Sequence, residues 1–196
     1  MGYTYQEISS HNWIDFETMF LKHKGVRGGC WCSYYLGYAS EIQKLDREGR
    51  KTFHKDIVMS GIPTGIIIYE DLLPIGWAQV STPDVIKRFN HNKIYSTTEF
   101  NHQPRWRISC IFVDKDHRKH GLSKIAMNFA FEYIKSKGGG ILEVFPFNYE
   151  GVDHHKFQFN GSVSFYEELG FEKVKMVSSS ELLMIKEIKN LNKIAF

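Results

Sequence analysis

The stretch Cys110-Ile-Phe-Val-Asp-Lys-Asp-His-Arg-Lys-His-Gly-Leu-Ser-Lys124 reads as the end of a strand, a basic turn and the start of a helix. Arg107–Val113 is apolar and β-branched enough for a strand, and Asp114–His120 is a charged turn. From Gly121 to Lys137, Leu122, Ile125, Ala126, Phe129 and Tyr133 recur at the spacing of one helical face. A turn of this kind aims several backbone N–H groups and the positive end of a helix dipole at one point. Gly121, with no Cβ, lets an anion approach the backbone, and Arg118, Lys119, His120 and Lys124 add positive charge around it. Two readings stand at this stage. One is a solvated basic turn leading into an amphipathic helix, and the other is an anion cradle whose natural guest is a pyrophosphate. The chain has no Gly-x-x-x-x-Gly-Lys-Ser/Thr loop.

Outward from this stretch the chain alternates strands and helices. Upstream, Asn12–His23 carries Trp13, Phe16, Met19 and Phe20 at helical spacing, and Gly25–Gly29 breaks that helix. Glu41–Glu48 and Lys51–Met59 read as one or two mostly polar helices. Gly65–Tyr69 and Ile75–Val80 form a hairpin across the turn Glu70–Pro74. Pro83–Phe89 reads as a further helix, and Asn90–Pro104 as an irregular surface excursion. Downstream, Gly138–Gly140 stops the helix and Ile141–Phe145 is the next strand. Ser162–Leu169 is a short helix ended by Gly170, and Phe171–Val177 and Leu182–Ile188 are the last strands. The order predicts one domain, residues 1–196, of mixed α/β (α+β) class, with the central helix packed on the sheet.

Composition narrows the function classes. The 196 residues are 42% hydrophobic, 24% charged and 15% aromatic, which fits a packed core and not a disordered chain. A net charge of +3, with basic and acidic residues interleaved, gives no stripe for nucleic acid. No run approaches the ~20 apolar residues of a membrane span, and Met1–His11 has no apolar core of a signal peptide. Three cysteines, Cys30, Cys32 and Cys110, cannot all pair within one chain and suit a reducing compartment. The expectation is a cytoplasmic protein.

Two motifs carry a resemblance. Arg118-Lys-His-Gly121-Leu-Ser123 resembles the acetyl-CoA-binding motif of the GNAT superfamily, Arg/Gln-x-x-Gly-x-Gly/Ala, with Ser in place of the last small residue. Phe165-Tyr166-Glu-Glu-Leu-Gly170-Phe171 resembles the family's later signature, and follows a strand bearing Leu142-Glu143-Val144. A more specific likeness, carried by Gly29-Cys30-Trp31-Cys32, Ile75-Gly76-Trp77, Trp106 and Phe159-Asn-Gly161-Ser-Val-Ser-Phe165, is to a bacterial GNAT subgroup with a Cys-Trp-Cys segment.

The resemblance implies a mostly antiparallel central sheet flanked by helices and splayed at its two parallel strands around the cofactor. It implies acetyl-CoA as co-substrate and direct acetyl transfer to an amine of a small molecule or peptide. By the same likeness, Ile111, Phe112 and Val113 offer backbone groups to the pantetheine. Lys119, His120, Gly121, Leu122, Ser123 and Lys124, with Arg118, hold the pyrophosphate. Glu143 is the implied general base, with Glu99, Asp153 or a histidine as alternatives, and Tyr166 the general acid, since a phenol is protonated at neutral pH. Homodimers are common in the family.

The residues outside these motifs suggest less. Trp31, Cys32 and Trp77 are expected to line the acceptor side, with Cys30–Tyr35, Asn90–Pro104 and Asn148–Phe159 as specificity loops. Cys30 and Cys32 lack Cys-x-x-Cys spacing and His154 and His155 are adjacent, so no metal is expected. An acetylated Cys110 is conceivable but has no activating base beside it in the sequence. The competing reading is a module with the same fold that binds acetyl-CoA without catalysis.

Overall fold

The computed structural model describes residues 2–87, 95, 103–148 and 161–190. Strands β1 (Tyr3–Glu7), β2 (Ile66–Glu70), β3 (Leu73–Ser81), β4 (Pro104–Val113), β5 (Gly140–Val144), β6 (Glu172–Met176) and β7 (Leu182–Ile188) form one sheet in the order β1-β2-β3-β4-β5-β7-β6. Among the described strands only β4 and β5 pair parallel. Helices α1 (Trp13–Lys22), α2 (Ala39–Ile42), α3 (Arg47–Met59), α4 (Leu122–Ser136) and α5 (Val163–Glu168) complete the described elements. The mixed, mostly antiparallel sheet with flanking helices is the one the sequence predicts.

The apolar runs explain why the sheet is covered on both faces. β2 and β3 bury consecutive residues, Ile66–Tyr69 and Ile75–Ser81, which a strand does only between two packed layers. On one face α4 buries Leu122, Ala126, Met127, Ala130, Tyr133 and Ile134 against Ile66, Ile68, Ala78 and Leu142. On the other, α1 buries Trp13, Phe16, Met19 and Phe20 against Trp31, Ile67, Trp77 and Phe112. Each fully buried large side chain contributes roughly 1.5–3 kcal/mol, so these two layers dominate the stability.

Several expectations change. β1 is an edge strand that the sequence reading omits, paired antiparallel to β2 from Tyr3↔Glu70 to Glu7↔Ile66. Residues 83–87 form a turn and bend and not the expected helix; Ile86 is pulled into the core beside Tyr35 and Leu36. The expected helix Glu41–Glu48 is the single turn α2, and α3 starts four residues earlier than predicted because Asp46 caps it, accepting from the Gly49 N–H at 2.7 Å. β4 begins at Pro104, inside the segment expected to be irregular.

Candidate active site

The site begins where β4 parts from β5. Their pairing covers Pro104↔Ile141, Trp106↔Leu142 and Arg107↔Glu143 and then stops. Beyond it, among the described residues, β4 continues to Val113 paired to β3 alone, from Val80↔Ile108 to Gly76↔Val113, while β5 stays paired to β7 through Val144↔Met184. The cause of the parting lies in β4 itself. Gln79 faces Cys110 and Val80 faces Ile108, so Ser109 is an extra residue in a β-bulge, which bends its strand. The Ser109 hydroxyl donates to Gln79 Oε1 at 2.8 Å, and Gln79 Nε2 donates to the Cys32 carbonyl at 2.7 Å. The bulge is thereby pinned to the loop that carries Cys32.

The end of β4 runs into a short 3₁₀ turn, Lys115–His117, and then into α4. Asp114 organises the turn. Its carboxylate accepts from the Asp116 N–H at 2.9 Å and from Lys22 Nζ at 2.8 Å, which ties the last turn of α1 to the first residue after β4. These donors hold the Asp114 carboxyl well below the usual carboxylate range, against the opposing effect of burial. Arg118 Nε donates back to the Val113 carbonyl at 3.1 Å. Lys119 and Gly121 both take left-handed backbone, with φ of 67° and 74°. Such alternation turns successive N–H groups inward.

Among the described residues, the N–H groups of Gly121, Leu122 and Ser123 have no hydrogen-bond acceptor. Gly121 is the N-cap of α4 and supplies no side-chain oxygen to satisfy them. Its lack of a Cβ serves the positive φ, since a Cβ there would meet nothing within 4 Å. Arg118, Lys119, His120, Ser123 and Lys124 are exposed around this mouth. The turn is therefore an electropositive nest open to solvent, facing the end of the fork.

Tyr166 on α5 is buried, at 2% exposure, and its ring meets Phe165 and Phe171 edge-on. Gly161, with φ of 73°, packs its backbone on that ring, where a Cβ would lie 2.8 Å from the Tyr166 ring. Burial, with smaller pushes from Cys110 and Tyr35, raises the phenol well above its usual pKa. Tyr166 is thus protonated throughout the neutral range, and it lies beside the fork next to the Cys110 side of β4.

Glu143 sits differently from expectation. It is completely buried, Oε1 accepting from the Tyr95 hydroxyl at 2.7 Å and Oε2 from Arg107 Nε at 3.1 Å. Arg107 Nη1 also donates to the Ile86 carbonyl at 3.1 Å, and its guanidinium lies over the Tyr95 ring, 5.2 Å from the centroid. Among the described residues each carboxylate oxygen accepts one of these two bonds, so the group is tied to Arg107 and Tyr95. Arg107 and Tyr95, the partners of Glu143, are not singled out by the sequence reading. Glu99, Asp153, His154 and His155 lie outside the described residues, as do most of the loops Asn90–Pro104 and Asn148–Phe159.

Trp31 and Trp77 have no exposed surface. Their rings are packed in the α1 layer, Trp31 stacked on Phe20 and Trp77 edge-on to Phe16, so they are core residues and present no face to an acceptor. Cys32 is buried between them and β4, donating its S–H to Cys110 Sγ at 3.5 Å. The loop is held from below by His54, whose Nδ1 lies 2.7 Å from the Trp31 carbonyl and Nε2 2.7 Å from Thr64 Oγ1. A carbonyl only accepts, so the proton is on Nδ1 and Thr64 donates to Nε2. Among the described residues, no cluster of three or more His, Cys, Asp and Glu side chains has metal-binding geometry.

The sequence profile of the acetyltransferase (GNAT) family matches residues 31–171, well over half of the chain. The chain belongs to that family. An uncharacterized N-acetyltransferase of Methanocaldococcus jannaschii is 38% identical over 78 residues, 40% of this chain and 30% of that protein. The chain thus matches under a third of that relative's length. Among solved structures, an acetyltransferase assigned to the GNAT family from Desulfovibrio desulfuricans superposes with a TM-score of 0.55 at 14% identity, covering 95% of this chain and 99% of that one. The PaiA N-acetyltransferase of Thermoplasma acidophilum, solved in complex with coenzyme A, superposes with a TM-score of 0.50 at 15% identity over 95% of this chain and 99% of that one. At these identities the superpositions show the GNAT fold.

Proposed function

We propose that this chain moves the acetyl group of acetyl-CoA to an amine of a small molecule or peptide. The observation that carries the reading is one continuous run of chain. The backbone edge of β4 left unpaired by the fork leads directly into three N–H groups that lack acceptors at the start of α4. The first suits an extended amide-bearing arm and the second a pyrophosphate.

In this reading the backbone of Ile111, Phe112 and Val113 pairs with the pantetheine. The amides of Lys119–Lys124 and the charge of Arg118, Lys119, His120 and Lys124 receive the pyrophosphate. The amine nitrogen attacks the thioester carbonyl, the C–S bond breaks, Tyr166 gives its proton to the departing thiolate, and the proton lost by the nitrogen passes to solvent, from which the Tyr166 phenolate is reprotonated. Glu143 acts through Arg107 and Tyr95, holding the strands at the branch of the fork, and is a positioning residue. The chain works as one domain in the cytoplasm. Among the described residues no helix is long and apolar enough to cross a membrane.

Calorimetric titration with acetyl-CoA of the wild type and of Ser123→Glu tests the assignment. A carboxylate in the first turn of α4 favours the helix dipole and so preserves the fold, while it repels a phosphate at the same N–H groups. The expected result is saturable binding by the wild type, weakened at least tenfold in the variant. Equal binding by both proteins, or none by either, contradicts the placement.

A further inference from the structure

Cys32 and Cys110 are 78 positions apart in the chain yet their sulfurs lie 3.5 Å from each other. A disulfide has S–S of about 2.05 Å, so closing the bond needs a relative movement of about 1.5 Å. All three cysteines are free, and neither mechanism nor metal binding accounts for this pair. Position distinguishes its members. Cys110 is on the bulged stretch of β4 at the fork and is partly exposed, whereas Cys32 is buried behind it. The S–H of Cys32 points at Cys110, and Arg27 adds positive charge, which together favour thiolate at Cys110 and disfavour it at Cys32. One sulfur is thus arranged to attack and the other to resolve.

The loop behind Cys32 carries an unusual backbone. Lys24, Val26, Arg27, Trp31 and Cys32 all have φ between 44° and 59°. That region is unfavourable for side chains with a Cβ, most of all for a β-branched Val. A run of such residues persists because Trp31 is packed, and because His54 and Gln79 hold the Trp31 and Cys32 carbonyls.

We propose that Cys32 and Cys110 form a peroxide-sensitive dithiol whose closure to a disulfide switches acetyl transfer off, an inference that rests on the transferase reading above. The Cys110 thiolate attacks one oxygen of a hydroperoxide, the O–O bond breaks, and the alcohol or water departs with the proton, leaving a Cys110 sulfenic acid. Cys32 then attacks that sulfur, the S–O bond breaks, and water leaves with the Cys32 proton. Two electrons pass from the thiols to the peroxide, which is reduced. The new bond draws the Ser109 bulge towards the Cys32 loop and away from β5, and so changes the fork beside Tyr166.

The test treats reduced wild type, Cys30→Ser, Cys32→Ser and Cys110→Ser with equimolar hydrogen peroxide. It then measures intact mass, non-reduced peptides and the acetyl-transfer rate of each protein before and after treatment. Expected are loss of two hydrogens and a Cys32–Cys110 peptide in wild type and Cys30→Ser, a trapped single-oxygen adduct in Cys32→Ser, and neither in Cys110→Ser. Transfer falls at least tenfold in the first two and returns with a reducing agent, while Cys110→Ser keeps its own untreated rate. Linkage through Cys30, no linkage at all, or linkage with an unchanged rate in an active enzyme overturns the switch. Reduced wild type that transfers nothing overturns the transferase reading instead, and the mass readout separates the two.

Discussion

Arg107 and Glu143 are the last residues at which β4 and β5 face each other, and their side chains close the branch of the fork with a buried ion pair of 3.1 Å. Beyond them one strand bends away on its bulge and the other does not. Removing one member of a buried pair leaves an uncompensated charge, which costs about 3–5 kcal/mol. Arg107→Ala is therefore expected to lose about that much stability in urea unfolding, and Glu143→Gln, which leaves the buried Arg107 charge without its counter-charge, a comparable amount. A double-mutant cycle reads the coupling directly. Additive losses contradict a shared network.

Tyr166→Phe separates acid catalysis from packing. Among the described residues the phenol oxygen makes no hydrogen bond, so deleting it leaves the core intact and stability is expected to change by no more than about 1 kcal/mol. The turnover number is expected to fall about a hundredfold, the low end for a positioned general acid, with KM little changed. Steady-state kinetics beside a melting curve checks both. An unchanged turnover number assigns Tyr166 to packing alone.

His54 links stability to pH. It is fully buried and neutral, and burial lowers its pKa to about 4, opposed by its bond to the Trp31 carbonyl. An unfolded histidine takes up a proton near pH 6.5. Between these values the unfolded chain binds the proton and the native one does not, so stability falls as pH drops from about 6.5 to 4. The loss is about 3 kcal/mol in all. Urea midpoints across that range are expected to show it, and His54→Gln to remove the His54 share of the slope. A flat profile in the wild type contradicts the buried neutral imidazole.

Asp114 couples α1 to the nest. Asp114→Asn loses the ion pair to Lys22 at 2.8 Å while keeping an acceptor for the Asp116 N–H. A modest stability loss of about 1 kcal/mol is expected, since Lys22 is 41% exposed. A larger effect is expected on acetyl-CoA affinity, severalfold weaker by titration. Unchanged affinity contradicts a role for Lys22 and Asp114 in holding the turn.

Local signals made most of this legible. The 3.6 period of α4, the glycine at its N-cap and the basic turn before it are short-range features, and so is the signature around Tyr166. Trp31 and Trp77 show where local reading ends. Aromatic residues suit a pocket wall or a core equally, and only the packing of α1 over them decides for the core. The Arg107–Glu143–Tyr95 network spans 36 and 48 positions, and nothing in the spacing of Tyr95 marks it as a partner of a strand carboxylate. β1 is hard to read from sequence because it is short and mostly polar, its inward face being Tyr3, Tyr5 and Glu7. The fork itself depends on the Ser109 bulge, which is visible only once β3 and β4 are in register.

Backbone amide exchange with and without coenzyme A tests the central claim most directly, because it reads the N–H groups themselves. Slower exchange is expected in two segments together, Ile111–Val113 on the open edge of β4 and Gly121–Ser123 at the start of α4, with little change in β2 or β7. Protection confined to other segments, or none at saturating coenzyme A, contradicts a cofactor held by the fork and the nest.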